Sequence, residues 1–253
     1  MITAGLDIGS TATKAVLYDG KIRATVIRPT GWDVRATARE VLEEALTAAG
    51  VSFPDLAGVV VTGYGRQAVD FGAKKVTEIT CHARGVHHLF PEATLLIDVG
   101  GQDSKVVRLG SGGRALSFRM NDKCAAGTGR FLQLMAGVLG MAPAEMDWPE
   151  GVEPVNITSM CAVFAESEVV GLLGQGVARE KIVAGLFKAV AARFLSMLPE
   201  GGTEGLIVFT GGGALWPGLR KALERGLNRE VVVPEEPRIT GALGAALIAA
   251  EGN

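Results

Sequence analysis

Two aspartates occur in the same short pattern at two places along the chain. The stretches LDIGSTATKAVLYDG (Leu6–Gly20) and IDVGGQDSKVVRLGSG (Ile97–Gly112) share the pattern D-[IV]-G-x-x-x-x-K-x-V, and their aspartates are 91 positions apart. In both stretches an apolar segment precedes the aspartate and another follows the lysine, which is typical of a β-hairpin. Turns of glycine, serine and threonine offer N–H groups and hydroxyls to phosphate oxygens. The repeat therefore predicts two phosphate-binding hairpins, while the alternative is that the Asp-Gly pairs only form tight turns.

The side chains in and beside these turns indicate the chemistry. Asp7 and Asp98 lie at matching strand ends, where two facing carboxylates are expected to hold Mg²⁺ through waters, because Mg²⁺ dehydrates reluctantly. Gln102 or Asp103 is expected to orient an attacking water. The expected phosphate ligands are Gly9, Ser10, Thr11, Thr13 and Lys14 in the first turn, and Gly100 and Gly101 in the second.

A third glycine turn, FTGGGAL (Phe209–Leu215), follows an apolar strand and precedes a helix. Such a turn lets the backbone approach a flat or anionic ligand. We expect Gly211, Gly212 and Gly213 to contribute in this way. The pattern G-x-x-x-x-G-K-[ST] is missing from the sequence, so a P-loop is not expected.

Two of the three cysteines are predicted to lie at helix starts. Cys124, in NDKCAAGTGRF, is expected in the first turn of a helix, and Cys161 is expected near the start of another that Ser159 caps. A helix N-terminus favours the thiolate. No C-x-x-C pair indicates zinc, and a [4Fe-4S] cluster needs four thiolates, which two chains with two cysteines each supply. The alternative is that these cysteines are small buried hydrophobes.

Cys81 is expected to be structural. It lies in EITCHARGVHH, on a predicted helix that also carries the three histidines of the chain, and the spacing of these residues does not indicate a metal site. Those histidines are His82, His87 and His88.

Composition narrows the class of protein. The 253 residues have a net charge of −2 with charges spread along the chain, so no nucleic-acid partner is expected. No apolar run reaches the roughly 18–20 residues that a membrane span needs. The N-terminus has no basic segment typical of a signal peptide, and three cysteines do not indicate a disulfide framework. These observations predict a cytoplasmic protein.

Apolar periodicity predicts both strands and helices, hence an α/β fold. The internal repeat fits two similar lobes, each opening with a hairpin whose turn faces a common cleft. A helix is predicted over residues 33–50 with Gly50 as its stop, and a small-residue helix, TGALGAALIAAE, closes the chain. We expect the first lobe to cover residues 1–91 and 240–253. The second lobe is expected to cover residues 92–239.

Several ordered motifs resemble one protein family. GLDIGSTATKAV, VTGYGR, EITCHARG, IDVGGQDSKV, NDKCAAGTGRFL, CAVFAESEV, TGGGA and TGALGAAL occur in this order from end to end. They resemble the ATP-dependent activators of 2-hydroxyacyl-CoA dehydratases in the BadF/BadG/BcrA/BcrD ATPase family. That family also contains the ATPase subunits of benzoyl-CoA reductase.

The resemblance implies more than the residues alone predict. It implies the fold of the acetate and sugar kinase/Hsp70/actin superfamily, with an actin-like ATPase domain whose third glycine turn lies on the adenosine side of ATP or ADP. It implies a homodimer with one intersubunit [4Fe-4S] cluster, whose ligands would be Cys124 and Cys161 of each subunit. ATP hydrolysis would drive one low-potential electron onto a partner iron-sulfur dehydratase or reductase. A ferredoxin or flavodoxin would be the electron donor.

Other functions share the hairpins. A small-molecule kinase of the same superfamily, or a non-catalytic ATP-binding assembly module, would have both phosphate turns but would need no cysteine at a helix start. NDKCAAGTGRF and CAVFAESE favour the activator. Within the family the partner stays open between a 2-hydroxyacyl-CoA dehydratase, a benzoyl-CoA reductase and a double-cubane cluster protein. Glu166 and Glu168 are either a polar helix face or a contact with a partner.

Overall fold

The first repeat forms the predicted hairpin. In the computed structural model, which describes residues 1–158, 161–199 and 203–252, β1 (Ile2–Ile8) runs antiparallel to β2 (Ala12–Tyr18) with Asp7 opposite Lys14. The chain continues into β3 (Ile22–Pro29), β4 (Leu56–Thr62) and β5 (Lys74–Lys75). The sheet order is β3-β2-β1-β4-β5, and β4 is parallel to β1. The end of β1 therefore lies inside the sheet, where Asp7 is held by strands on both sides.

Helices cover both faces of this sheet. They are α1 (Val34–Ala49), α2 (Glu78–Leu89) and α7 (Thr240–Glu251). Side chains alternate between the faces of a strand, so Ala15 and Leu17 pack in the core with α1, while Val16 packs with α7. Asp33 caps α1 by accepting a hydrogen bond from the Ala36 N–H, and Gly50 ends it in the left-handed conformation, as predicted.

The chain divides into two compact units. The first contains Met1–Leu96, Val107–Phe118 and Pro234–Asn253, and the second contains Ile97–Val106 and Arg119–Val233. A second sheet is formed by β6 (Ala93–Val99), β7 (Ser104–Gly110), β8 (Arg114–Asn121) and β9 (Leu206–Thr210), in the order β8-β7-β6-β9. The lobe boundaries expected from the sequence stay a prediction.

The second unit contains four helices among its described residues. They are α3 (Gly129–Leu139), α4 (Ala162–Gly174), α5 (Arg179–Ser196) and α6 (Pro217–Leu227). The core includes Phe187 and Phe194 of α5 and Leu219 of α6, all fully buried. Within the described ranges no helix is both long and apolar enough to cross a membrane.

The start of α3 differs from the sequence prediction. Cys124 was expected in the first turn of this helix, but it precedes a single 3₁₀ turn (Ala125–Gly127), and α3 begins only at Gly129. The break occurs because Thr128 is extended, with φ −136° and ψ 163°, and its hydroxyl donates to the Ala125 carbonyl. Cys124 is therefore separated from α3 by one short turn.

Candidate functional site

The first hairpin ends in a buried ion pair. The Lys14 Nζ lies 2.9 Å from the Asp7 Oδ2, and the Asp7 side chain is only 3% exposed. The second carboxylate oxygen, Oδ1, is buried and has no hydrogen-bond partner among the described residues. A Cβ on Gly63 would lie 2.5 Å from this Oδ1, so only glycine fits beside it. Asp7 is thus held in place by Lys14 with one oxygen left for a further group.

The turn after Asp7 uses some of its predicted phosphate ligands internally. The Gly9 N–H donates to the Ala12 carbonyl at 3.1 Å, which closes the turn. The Thr13 hydroxyl is buried 3.0 Å from that of Thr30, which donates to the Gly9 carbonyl at 2.6 Å. The Thr11 hydroxyl is buried without a hydrogen-bond partner in the part of the chain that is described. Gly9 and Ser10 are half-buried. Thr11 is therefore the threonine best able to receive a ligand oxygen.

The second hairpin repeats the ion pair in a more buried form. The Lys105 Nζ lies 3.4 Å from the Asp98 Oδ2 and 3.0 Å from the Asp103 Oδ2, and the Lys105 side chain is 1% exposed. The Thr210 hydroxyl donates to the Asp98 Oδ1 at 2.7 Å. Both oxygens of Asp98 thus have a protein partner.

The turn between these residues is closed by its own backbone. The Gly100 N–H donates to the Asp103 carbonyl at 2.9 Å. Gly101 is half-buried and Gln102 is exposed at the tip of the turn. Of the two residues predicted to orient a water, Asp103 is bound to Lys105, while Gln102 extends into solvent.

The third glycine turn packs directly on the second hairpin. Gly211 has φ +82°, and a Cβ there would lie 2.9 Å from the Asp98 Oδ1. A Cβ on Gly213 would overlap Val99. A Cβ on Gly212 would meet no atom within 4 Å among the described residues. Gly211 and Gly213 are thus required for packing, whereas the Gly212 backbone borders open space.

Cys124 is held by a side-chain amide. The Cys124 N–H donates to the Asn121 Oδ1 at 3.2 Å, and the Asn121 Nδ2 donates to the Cys124 carbonyl at 2.9 Å. Cys124 itself is half-buried. The position of the Cys124 backbone is therefore fixed relative to the end of β8.

Cys161 occupies the N-cap position of α4 and is exposed, so a helix starts close to it, as predicted. Ser159, its predicted cap, lies outside the described residues. Glu168 accepts hydrogen bonds from the Thr158 N–H and hydroxyl at 2.9 and 3.0 Å. Glu168 therefore binds its own chain just before Cys161.

Cys81 has a different environment from the other two thiols. It is fully buried in α2, and burial raises the pKa of its thiol to about 12. The thiol is therefore protonated at neutral pH, and its side chain is not exposed to solvent. This agrees with the structural role expected for it.

Sequence reasoning missed several residues that position these groups. Lys105 is the lysine of the second repeat, so comparing it with Lys14 would have identified it. Thr210, Thr30 and Asn121 carry no comparable signal, because their partners are distant in sequence or depend on the local backbone. His82 lies on α2 with its Nδ1 3.0 Å from the Thr240 hydroxyl, which links α2 to the start of α7.

The sequence that contains the repeated hairpins, Cys124 and Cys161 matches a known family along nearly the whole chain. The model of the BadF/BadG/BcrA/BcrD ATPase family matches residues 4–249. The chain belongs to this family. The expected family is thereby confirmed. Because it is a family of ATPases, the predicted ATPase class is confirmed as well.

Relatives in this ATPase family are similar over their full length. The 2-hydroxyisocaproyl-CoA dehydratase activator of Clostridioides difficile is 45% identical, over 98% of this chain and 95% of the relative. The activator of lactoyl-CoA dehydratase of Anaerotignum propionicum is 43% identical, over 99% of this chain and 98% of the relative.

Solved structures confirm the fold class. The activator of the 2-hydroxyisocaproyl-CoA dehydratase from Clostridium difficile with bound ADPNP has a TM-score of 0.90 at 42% identity, covering 100% of this chain and 95% of that one. A ROK family glucokinase from Streptomyces griseus has a TM-score of 0.55 at 16% identity, covering 100% of both chains, which shows the fold alone. The predicted acetate and sugar kinase/Hsp70/actin fold is therefore confirmed.

Proposed function

We propose that this protein is an ATP-dependent reductive activator of an iron-sulfur enzyme of the 2-hydroxyacyl-CoA dehydratase class. It acts in the cytoplasm as a homodimer that carries one [4Fe-4S] cluster between its subunits. A ferredoxin or flavodoxin supplies one electron, the partner enzyme accepts it, and ATP hydrolysis makes the transfer favourable.

The observation that carries this proposal is the placement of Cys124 and Cys161. Both belong to the second unit, both lie at the N-cap of a helical segment, and neither is buried. A structural cysteine is normally buried, as Cys81 is. Two accessible thiols, one before a 3₁₀ turn and one at the start of α4, in a chain of this ATPase family, are explained by a group that binds thiolates.

The donor set fits a cluster shared by two chains. A [4Fe-4S] cluster takes four thiolates, and one chain offers Cys124 and Cys161. A two-fold symmetric dimer supplies the same pair twice. When bound, the cluster supplies a site that accepts and releases a single electron. The Asn121 amide and the α4 N-terminus would fix the orientation of the two ligands.

The hairpin residues fit the phosphates and Mg²⁺ of ATP. The Asp7 Oδ1 has no hydrogen-bond partner within the described ranges, which suits a water bound to Mg²⁺. Asp98 is already paired with Thr210 and Lys105, so we assign it a weaker part in holding the ion. Gln102 is exposed and positions the attacking water, whereas Asp103 keeps Lys105 in place.

Iron analysis of the anaerobically purified protein tests the proposal. We expect about four irons and four sulfides for every two chains, together with the solution mass of a dimer. Changing Cys124→Ala or Cys161→Ala should remove the cluster, because each loses two of the four thiolates in the dimer. Cys81→Ala is the matched control and should keep the iron.

A second measurement tests the coupling. The loaded protein, given ATP and a reduced ferredoxin, should activate a purified 2-hydroxyacyl-CoA dehydratase, and ADPNP should not replace ATP in repeated turnover. An ATP-hydrolysing chain that stays free of iron after anaerobic reconstitution would contradict the proposal. That result would favour a small-molecule kinase of the same fold.

A further inference from the structure

Arg66 belongs to the motif VTGYGR, which lies outside both hairpins. Strand β4 ends at Thr62, which lies beside Asp7 in the sheet, and Arg66 follows in a 3₁₀ turn over Tyr64–Ala68. The Arg66 N–H donates to the Gly63 carbonyl at 3.3 Å, and the guanidinium Nη1 donates to the same oxygen at 3.0 Å. The side chain of Arg66 therefore folds back toward the end of β4.

Two glycines let this turn lie against the end of β1. Gly63 has φ +85°, and a Cβ there would lie 2.5 Å from the Asp7 Oδ1 and 2.6 Å from the Ile8 carbonyl oxygen. A Cβ on Gly65 would lie 2.5 Å from the Ile8 Cγ2. Neither position accepts a side chain without a shift of its neighbours. The backbone that carries Arg66 is therefore fixed relative to the Asp7 carboxylate.

The Asp7 oxygen on this side is the one that lacks a partner. Lys14 binds the Oδ2, whereas the Oδ1, beside Gly63, is buried and has no hydrogen-bond partner among the described residues. Only Gly63 separates this Oδ1 from the Arg66 Nη1, so backbone geometry places the two atoms within about 10 Å of each other. One phosphate group and one Mg²⁺ with its bound water span such a distance.

Arg66 also differs from other arginines of the first unit in how its charge is paired. Six of these pair with a carboxylate, namely Arg23, Arg28, Arg35, Arg39, Arg84 and Arg238. Arg66 is half-buried, and in the part of the chain that is described its side chain has the Gly63 carbonyl as its only hydrogen-bond partner. A guanidinium has five N–H donors in a fork that suits phosphate oxygens. Most of the donors of Arg66 can therefore bind an anion.

We propose that Arg66 is a further catalytic residue, whose guanidinium binds the terminal phosphate of ATP and stabilises the negative charge on it during hydrolysis. The inference rests on the binding of ATP at the hairpins, which is part of the proposed function. In this reaction a bond forms between the oxygen of water and the terminal phosphorus, and the bond from that phosphorus to the oxygen of ADP breaks. The proton of the water ends on the released phosphate. Arg66 transfers no proton and supplies positive charge beside the phosphate oxygens.

Separate measurements of binding and hydrolysis test this assignment. Arg66→Gln should weaken the binding of Mg-ADPNP by about tenfold or more, because a hydrogen bond between charged groups is lost. Mg-ADP lacks the terminal phosphate and should bind as it does to wild type. The kcat of ATP hydrolysis should fall by about 10²–10³-fold, as the loss of one positioned donor gives. Calorimetry measures the two Kd values, and phosphate release measures kcat.

Arg39→Gln is the matched control. Arg39 is an exposed arginine of the same unit that pairs with Asp70, so its loss should change neither Kd nor kcat. An Arg66→Gln protein that binds ADPNP and hydrolyses ATP like wild type would overturn the inference and leave the proposed function standing. Equal weakening of ADPNP and ADP would also overturn it, because it would show that Arg66 only supports the fold. A wild-type protein that binds neither nucleotide would overturn the proposed function together with the inference.

Two further measurements keep the test valid if Arg66→Gln does not fold. Arg66→Lys retains the charge without the fork, so it should keep part of the affinity for ADPNP but little of kcat. In the wild-type protein, phenylglyoxal modifies accessible arginines, and peptide mass mapping reports each site. ADPNP should slow the modification of Arg66 while ADP should not, and Arg39 should react equally with either nucleotide. Equal modification of Arg66 with both nucleotides would overturn the inference.

Discussion

Lys105 is the side chain whose charge is most deeply buried in either hairpin. It is among the largest fully buried side chains of the described residues, and it contacts the carboxylates of Asp98 and Asp103. Lys14, its counterpart in the first repeat, is 15% exposed. The two repeats share a sequence pattern, but burial differs between their lysines, so their energetic roles differ as well.

We predict that Lys105→Met destabilises the protein by about 3–5 kcal/mol, because it leaves the buried Asp98 without a cation. Methionine preserves much of the side-chain length, so the loss reports charge rather than volume. Urea unfolding would measure it, and Lys21→Met at an exposed position should change stability little. Adding Asp98→Asn should restore part of the loss; a single variant as stable as wild type would contradict the prediction.

Cys81 should make stability depend on alkaline pH. Its pKa is raised from 9.0 to about 12 by burial, so the folded state favours the protonated thiol. The stabilisation of the folded state by the protonated Cys81 thiol is complete below about pH 9. It is lost as the pH rises toward 12, by about 1.4 kcal/mol per pH unit. Unfolding free energies of wild type and Cys81→Ala should therefore converge between pH 9 and 11. If the unfolding free energies of the two proteins instead differ by a constant amount across this pH range, the Cys81 thiol is not shielded from water.

At the scale of elements, glycines let α7 lie against its neighbours. A Cβ on Gly244 would overlap the Cys81 carbonyl of α2, and one on Gly5 would overlap the Ala242 carbonyl. Small residues at such points let two backbones approach closely, so α7 packs directly against both the sheet and α2. The hydrogen bond between His82 and Thr240 joins the same two helices.

We predict that Gly244→Ala lowers the free energy of unfolding by about 3 kcal/mol or more, at the upper end of overpacking effects, because backbone atoms cannot move aside as a side chain can. The thermal midpoint measures this. Gly137→Ala serves as control and should be neutral or slightly stabilising, since alanine favours an exposed helix position. Equal midpoints for the two variants would show that α7 is not held this closely.

Elements with a local signal were predictable, and those set by distant partners were not. The α7 helix matches its predicted span, and α1 has the predicted Gly50 stop, because periodicity and capping are local. The predicted start of α3 was wrong, because the first N–H groups of this helix donate to the carbonyls of Gly100 and Gly101, which lie far away in sequence. Likewise the repeat predicted Asp98 but not its partner Thr210, which comes from another strand.

At the scale of the whole molecule, each unit contains the Asp–Lys ion pair of one repeat. The first retains two buried oxygens, the Asp7 Oδ1 and the Thr11 Oγ1, that have no partner within residues 1–158, 161–199 and 203–252. Such atoms cost stability in the absence of a ligand, since a buried polar group without a hydrogen bond loses its hydration. A bound nucleotide that satisfies them should stabilise the folded chain.

We predict that Mg-ADPNP raises the free energy of unfolding by about 2.7 kcal/mol at a concentration about 100 times its Kd. At the same ADPNP concentration, Thr11→Val should show a smaller gain in the free energy of unfolding, because valine cannot hydrogen-bond a ligand oxygen. Without nucleotide the variant should be as stable as wild type or slightly more stable, since it removes an unsatisfied hydroxyl. Thermal unfolding with increasing ADPNP measures both effects, and Thr25→Val, at an exposed position of β3, is the control. A Thr11→Val protein that is less stable without nucleotide and gains the full stabilisation with it would assign Thr11 to the folded core instead of the ligand.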